Sequence, residues 1–85
     1  MKKNEAELRE ALDQGEPFTI VLSSGDRVRV PSHDHVFLPP LEDEEGPIAD
    51  SDRDDFFQVW SKGVHYRWIA FEAIAMFERL KAKTD

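Results

Sequence analysis

The sequence contains no cysteine, which excludes disulfides and thiolate-bound metals together and leaves histidine and carboxylate as the metal-ligating side chains. It has no long apolar run either: no segment approaches the roughly 20 residues that a membrane span requires. The opening stretch, MKKNEAELRE, lacks the apolar core of a secretion signal. A cytoplasmic chain outside the membrane is expected. Glycine is sparse, with four in all, and none lies in a phosphate-cradling loop. None of Ser23, Ser24, Ser32, Ser51 and Ser61 falls in a nucleophile elbow or another motif that would set its base and oxyanion donors. These absences predict a protein that is not an enzyme, with no catalytic residues and no cofactor.

What is present is acid, concentrated in one place. The net charge is -7, and residues 41–55, LEDEEGPIADSDRDD, hold eight acids against one arginine. The remainder is therefore formally neutral, and this one insertion makes the protein acidic. Affinity for nucleic-acid backbones depends mainly on Lys and Arg, so a polyanion partner would need a local basic patch. The insertion itself reads as a solvated, mobile loop. Asp50, Asp52, Asp54 and Asp55 imitate the start of a calcium loop, but Asp55 stands where its glycine belongs and Ser61 where its bidentate glutamate belongs.

Eighty-five residues make one domain, 1–85, that buries only somewhat more than about 60% of its unfolded surface. Association with further copies is the expected means of covering the rest. A helix is expected over residues 4–14, where Asn4 and Glu7 resemble a capping box, Ala6, Leu8, Ala11 and Leu12 form the apolar stripe, and Gly15 stops the helix. Phe18-Thr-Ile-Val-Leu22 is rich in β-formers. A three-residue loop, Ser24-Gly25-Asp26, would pair Leu22 with Val28 and Ile20 with Val30, turning Arg27 and Arg29 outward. Pro31 cannot donate to a ladder, so the second strand must bend or leave its partner there. Val36-Phe-Leu38, closed by Pro39-Pro40, reads as a third strand.

Phe56 to Trp60 and Val64 to Ile69 flank Ser61-Lys62-Gly63, a hairpin in which Gly63 supplies the positive φ. With Lys62-Gly63 as the loop, one face carries Phe57, Val59, Tyr66 and Trp68, and reads as core. The other carries Phe56, Gln58, Trp60, His65, Arg67 and Ile69, and is where a partner is sought. The final segment, AFEAIAMFERLKAKTD, supports two readings. One is a helix, giving an α+β domain with a four-stranded antiparallel sheet and helices at both ends. The other is a turn at residues 70–73 and a strand from Ile74 to Glu78, giving a mainly β domain: an N-terminal helix and a five-stranded, strongly bent small barrel.

LSSGDRVRVPSHDHVFL (residues 22–38) is similar to the first Sm motif, with Asp34 as its aspartate. FEAIAMFE (residues 71–78) is similar to the turn and final strand of the second. The chain thus resembles the SH3-type, Sm-like small barrels, in particular the bacterial Hfq branch. Tyr66-Arg67-Trp68 resembles that branch's short aromatic-basic triplet, four residues early. The chain also resembles short uncharacterised bacterial proteins with a PFTI-like first strand and a PP after the third. The Sm resemblance implies a ring or other homo-oligomer built by strand pairing between copies, and single-stranded RNA binding near His35 and, from the late turn, Tyr66 or Arg67.

In PSHDHVFLPP (residues 31–40), His33 and His35 are two apart and on an extended strand would share a face suited to one metal. A zinc site needs three or four protein ligands, so the expectation is a turn in which Asp34 accepts backbone N–H bonds and no metal is held. The functional expectations are a non-enzymatic, self-associating interaction module, with a single-stranded RNA-binding protein or a His/carboxylate metal binder as alternatives. The expected RNA or protein-partner surface is His35, Gln58, Trp60, His65, Tyr66 and Arg67. An RNA-binding form should also gather Arg27, Arg29, Lys62 and Arg67 on one rim away from the acidic loop.

Overall fold

The computed structural model describes residues 2–61 and 65–79, with residues 61 and 65 described through the backbone alone. One helix, α1 (Lys3–Asp13), precedes strands β1 (Phe18–Leu22), β2 (Arg27–Val30), β3 (Val36–Phe37), β4 (Glu42–Asp43), β5 (Gly46–Pro47), β6 (Phe56–Ser61), β7 (His65–Ala70) and β8 (Ile74–Arg79). The domain is α+β: two three-stranded antiparallel sheets, ordered β2-β1-β8 and β3-β6-β7, and the small hairpin β4-β5. Among the described residues no ladder joins the two larger sheets into a closed barrel.

Helix α1 begins one residue earlier than expected and uses no side-chain cap. Asn4 Nδ2 instead donates to the carbonyls of Phe71 (3.0 Å) and Ile74 (3.3 Å). A polar group at a half-buried position gains more from two acceptors inside the domain than from a cap that water can replace. The inward stripe is Glu5, Leu8 and Ala11, with Leu12 partly covered, and Ala6 is exposed. The helix stops as expected, with Gly15 at φ 73° and its N–H on the Leu12 carbonyl at 3.1 Å.

The first hairpin pairs Ile20 with Val28 and Phe18 with Val30. This register is displaced by two residues from the expected one, because the three-residue turn sits one residue earlier, at Ser23-Ser24-Gly25, closed by Leu22 N–H to the Asp26 carbonyl and Gly25 N–H to the Leu22 carbonyl. A shift of two leaves every side chain on its original face. Phe18, Ile20, Leu22, Val28 and Val30 are accordingly buried, and Arg27 and Arg29 point outward beside Val21 and Thr19. At Pro31 the chain leaves β1, crosses through a 3-10 turn (His33–His35) and enters the other sheet as β3, where Val36 pairs with Val59.

The β6-β7 register corrects the sequence reading more deeply. Ser61 pairs with His65, so the connection is one residue longer than Lys62-Gly63; it spans residues 62–64, outside the described residues. One residue inverts the faces of β7. Ile69, expected on the partner face, lies opposite Phe57 in the core, whereas Tyr66 and Trp68, expected in the core, are exposed.

The tail forms a 3-10 turn (Phe71–Ala73) and then β8, which returns antiparallel to β1 with Ile20 opposite Phe77. The expected turn and strand form as read, and the alternative C-terminal helix is excluded over the described residues to 79. Phe71 stacks on Phe57 (ring centroids 5.2 Å apart) and Phe77 meets Phe18 edge-on (5.9 Å). The two sheets and Leu8 and Ala11 of α1 thus share one core.

The acidic insertion is more ordered than a solvated loop. It forms β4-β5, closed by Ile48 N–H to the Leu41 carbonyl, and a 3-10 turn (Asp50–Asp52). Its one arginine, Arg53, reaches into the domain and donates to Glu5 Oε1 (2.8 Å), while Arg9 binds Glu5 Oε2 through Nη2 (2.9 Å) and Nε (3.2 Å). Arg9 also donates to the Pro39 carbonyl (2.7 Å), and Arg53 pairs with Asp50 (3.0 Å). A fully buried carboxylate is tolerated here because two guanidiniums satisfy both of its oxygens.

Candidate functional site

The expected surface residues separate into two neighbouring arrangements. His35, at the end of the 3-10 turn that follows Pro31, packs its ring on Trp60 with centroids 4.9 Å apart and planes inclined by 38°. Ser32 Oγ lies 3.0 Å from His35 Nδ1, which orients the imidazole. These two rings line one side of an open groove of about 280 Å³, and Arg27, Arg29 and Arg67 contribute its cationic lining.

The three arginines differ in their commitments. Arg27 is ion-paired with Glu78, an exposed contact. Arg67 faces Asp26 at 3.9 Å, at the limit of an ion pair. Arg29 has neither an ion pair nor a hydrogen bond among the described residues. No residue of 41–55 lines this groove, so the basic rim stands apart from the acidic insertion. Lys62, the fourth member of the expected rim, lies outside the described residues. The rim is cationic with aromatic flanks, a composition that suits carboxylates or phosphates for charge and planar groups for stacking.

The second arrangement is the outer face of β3-β6-β7. Gln58 is flanked by its ladder partners Phe37 and Trp68, and Trp60 sits opposite Tyr66. Phe37 and Tyr66 meet edge-on at 5.5 Å. Phe37, Phe56, Trp60, Tyr66 and Trp68 are between 38% and 65% exposed, which for so small a domain is a large aromatic surface beside polar groups. Tyr66 therefore joins Gln58 and Trp60, whereas the register puts Arg67 on the opposite face of β7. The side chain of His65 is outside the described residues.

The histidines of residues 31–40 do not converge. His33 lines a different cavity, with Arg9, Leu12 and Leu38, and its Nε2 lies 2.9 Å from Asp34 Oδ1. Asp34 is thus engaged by its neighbour's imidazole, in place of the turn-capping role expected of it. Among the described residues no three His, Asp or Glu side chains are placed to hold a metal ion, and no helix is long and apolar enough to cross a membrane.

Sequence reasoning missed Phe37 and Trp68 as surface residues and Glu5 as a buried one, whereas Phe56, read on the partner face, is exposed there. The signal for Glu5 was its spacing: three and seven residues before Leu8 and Leu12, on their stripe. Trp68 was legible only through the loop length that sets the β7 register. Comparison of the chain with protein-family models, with curated proteins and with solved structures gives no match.

Proposed function

We propose that the chain is a cytoplasmic, non-enzymatic interaction module that associates with copies of itself, built as an Sm-like barrel of five strands. In this reading β1, β2 continued into β3 across the 3-10 turn, β6, β7 and β8 are the five strands. The observation that carries the reading is the pair of open edges. Among the described residues β7 bonds only to β6, and β8 only to β1. Exposed edges invite pairing with another chain, and β7 of one copy laid against β8 of the next would extend both sheets. Tyr66 and Trp68 on β7 and Met76 on β8, all more than half exposed, stand beside those edges and would lose solvent on pairing.

Light scattering over a range of protein concentrations tests the reading. A mass of several chains is expected, reduced by Trp68→Ser combined with Met76→Ser. A single-chain mass at every concentration would sink it.

The grouping of Arg27, Arg29 and Arg67 about Trp60 and His35 favours a second reading, single-stranded RNA binding with a base stacked on Trp60. Three phosphate contacts predict a log–log decline of affinity with salt of slope roughly 2. Titration of an RNA pool at several salt concentrations reads that slope, and absence of salt-sensitive binding disposes of the idea.

A further inference from the structure

The hairpin β4-β5 presents Glu42, Asp43, Glu44 and Glu45, all exposed. Asp43 Oδ1 accepts the Glu45 N–H at 2.8 Å, which shapes the tip, yet none of the four carboxylates has a cationic partner among the described residues. Elsewhere in the insertion, Asp50 meets Arg53 and Asp55 meets Lys2. Arg53, 5% exposed and bound to the buried Glu5, ties the base of the insertion to α1. The insertion is therefore clamped at its root and leaves an unpaired acidic tip.

The groove shows the complementary pattern. Among the described residues the Arg29 side chain has no partner and Arg67 only a distant one, while Trp60 and His35 wall the same space. No described contact joins the hairpin to the groove, and the two line no common cavity. A chain of net charge -7 repels its copies, unless a cationic feature on one receives the acids of another.

From this we propose that the groove formed by Arg27, Arg29, Arg67, His35 and Trp60 is the docking site for the acidic hairpin, residues 42–45, of a second copy of this chain. The inference rests on the self-association reading and adds a head-to-tail charged contact to it. Guanidiniums receive carboxylates in paired N–H···O contacts, and among the described residues the Arg29 side chain has no contact to give up. Because donor and acceptor are different patches, each copy can receive one neighbour and reach another, the geometry of a ring or a filament.

Two measurements separate failure of this site from failure of self-association. In a Trp68→Phe background Trp60 is the remaining tryptophan of the chain, and its emission reports directly on the groove. A synthetic peptide, PLEDEEGP, should shift that emission saturably, about tenfold more weakly at 0.5 M than at 0.05 M salt because exposed charge pairs are screened. Arg29→Glu should weaken it by roughly tenfold or more through like-charge repulsion. This arm works whether or not the full chain oligomerises.

Light scattering supplies the second arm. Arg29→Glu alone, or Glu44→Lys with Glu45→Lys, should lower the mass, and mixing the two variants should restore it. No peptide response, or a mass indifferent to both reversals, overturns the inference, the latter leaving edge pairing intact. An emission shift given by an oligouridylate and not by the peptide overturns it in favour of RNA.

Discussion

Arginine occurs in two settings in this molecule, and they differ in what surrounds the guanidinium. Arg9 and Arg53 converge on Glu5, a carboxylate with no exposed surface, and close both of its oxygens at 2.8–3.2 Å. Arg27, Arg29 and Arg67 line an open groove with partners that are exposed, distant or absent. The first group is bound by desolvation, since separating either member leaves a buried charge uncompensated. The second is bathed in water, which screens each pair and leaves the cations available. The same side chain therefore serves the fold in one place and recognition in the other.

Removing Glu5 is the most direct way to break that contrast. Glu5→Ala should cost about 3–5 kcal/mol, because two arginines then lose the buried counter-charge they share; urea unfolding measures it. Replacing Glu5, Arg9 and Arg53 together by leucine should recover much of that loss. A triple variant no more stable than Glu5→Ala would show that the pairing itself stabilises the fold. Asn4→Ala ranks next, at about 1–3 kcal/mol, since the Phe71 and Ile74 carbonyls lose their shared donor. Arg27→Gln should change stability by less than about 1 kcal/mol, and by less still in high salt, as exposed pairs do. Arg29→Ala should leave unfolding within about 0.5 kcal/mol of the parent while lowering the response of Trp60 to the acidic peptide. A large stability loss there would move Arg29 into the first class.

How far the fold could be read from the sequence depended on whether an error was even or odd. The first hairpin was misplaced by two residues, and Ile20, Val28 and Val30 still reached the core, because side chains repeat every second position. The second was misplaced by one, and Ile69 exchanged places with Trp68. Both contain good β-formers with apolar residues at neighbouring positions, so composition does not separate the registers. The turn does, by its position in the first case and by its length, set across residues 62–64, in the second. Pro31 was legible because it lacks a donor, and the turn and strand of the tail were legible as one of two readings that tertiary pairing with β1 decides.

The site was legible as a set of residues and not as an arrangement. His35 and Trp60 were both expected at a partner surface, but residues 31–40 offered no sign that His35 would lie on Trp60 while His33 turned to Asp34. Such proximity comes from the crossing between sheets, a contact between residues 25 apart in the chain. Asn4 was misread, and Glu5 passed over, for a similar reason. Their types suit a helix start, whereas their partners, the Phe71 and Ile74 carbonyls and Arg53, lie some fifty or more residues away.

The 3-10 turn Phe71–Ala73 joins distant parts of the chain. Asn4 donates to its first carbonyl, Ser23 N–H and Oγ to its last, and its Phe71 N–H to Asp55. Four segments made at different times during synthesis thus meet at this one turn. Until β8 emerges, α1 lacks its acceptors and β1 its second partner strand. Before β8 is in place the aromatic residues of the core therefore stay uncovered, and during that interval the acidic insertion keeps neighbouring chains apart by like charge.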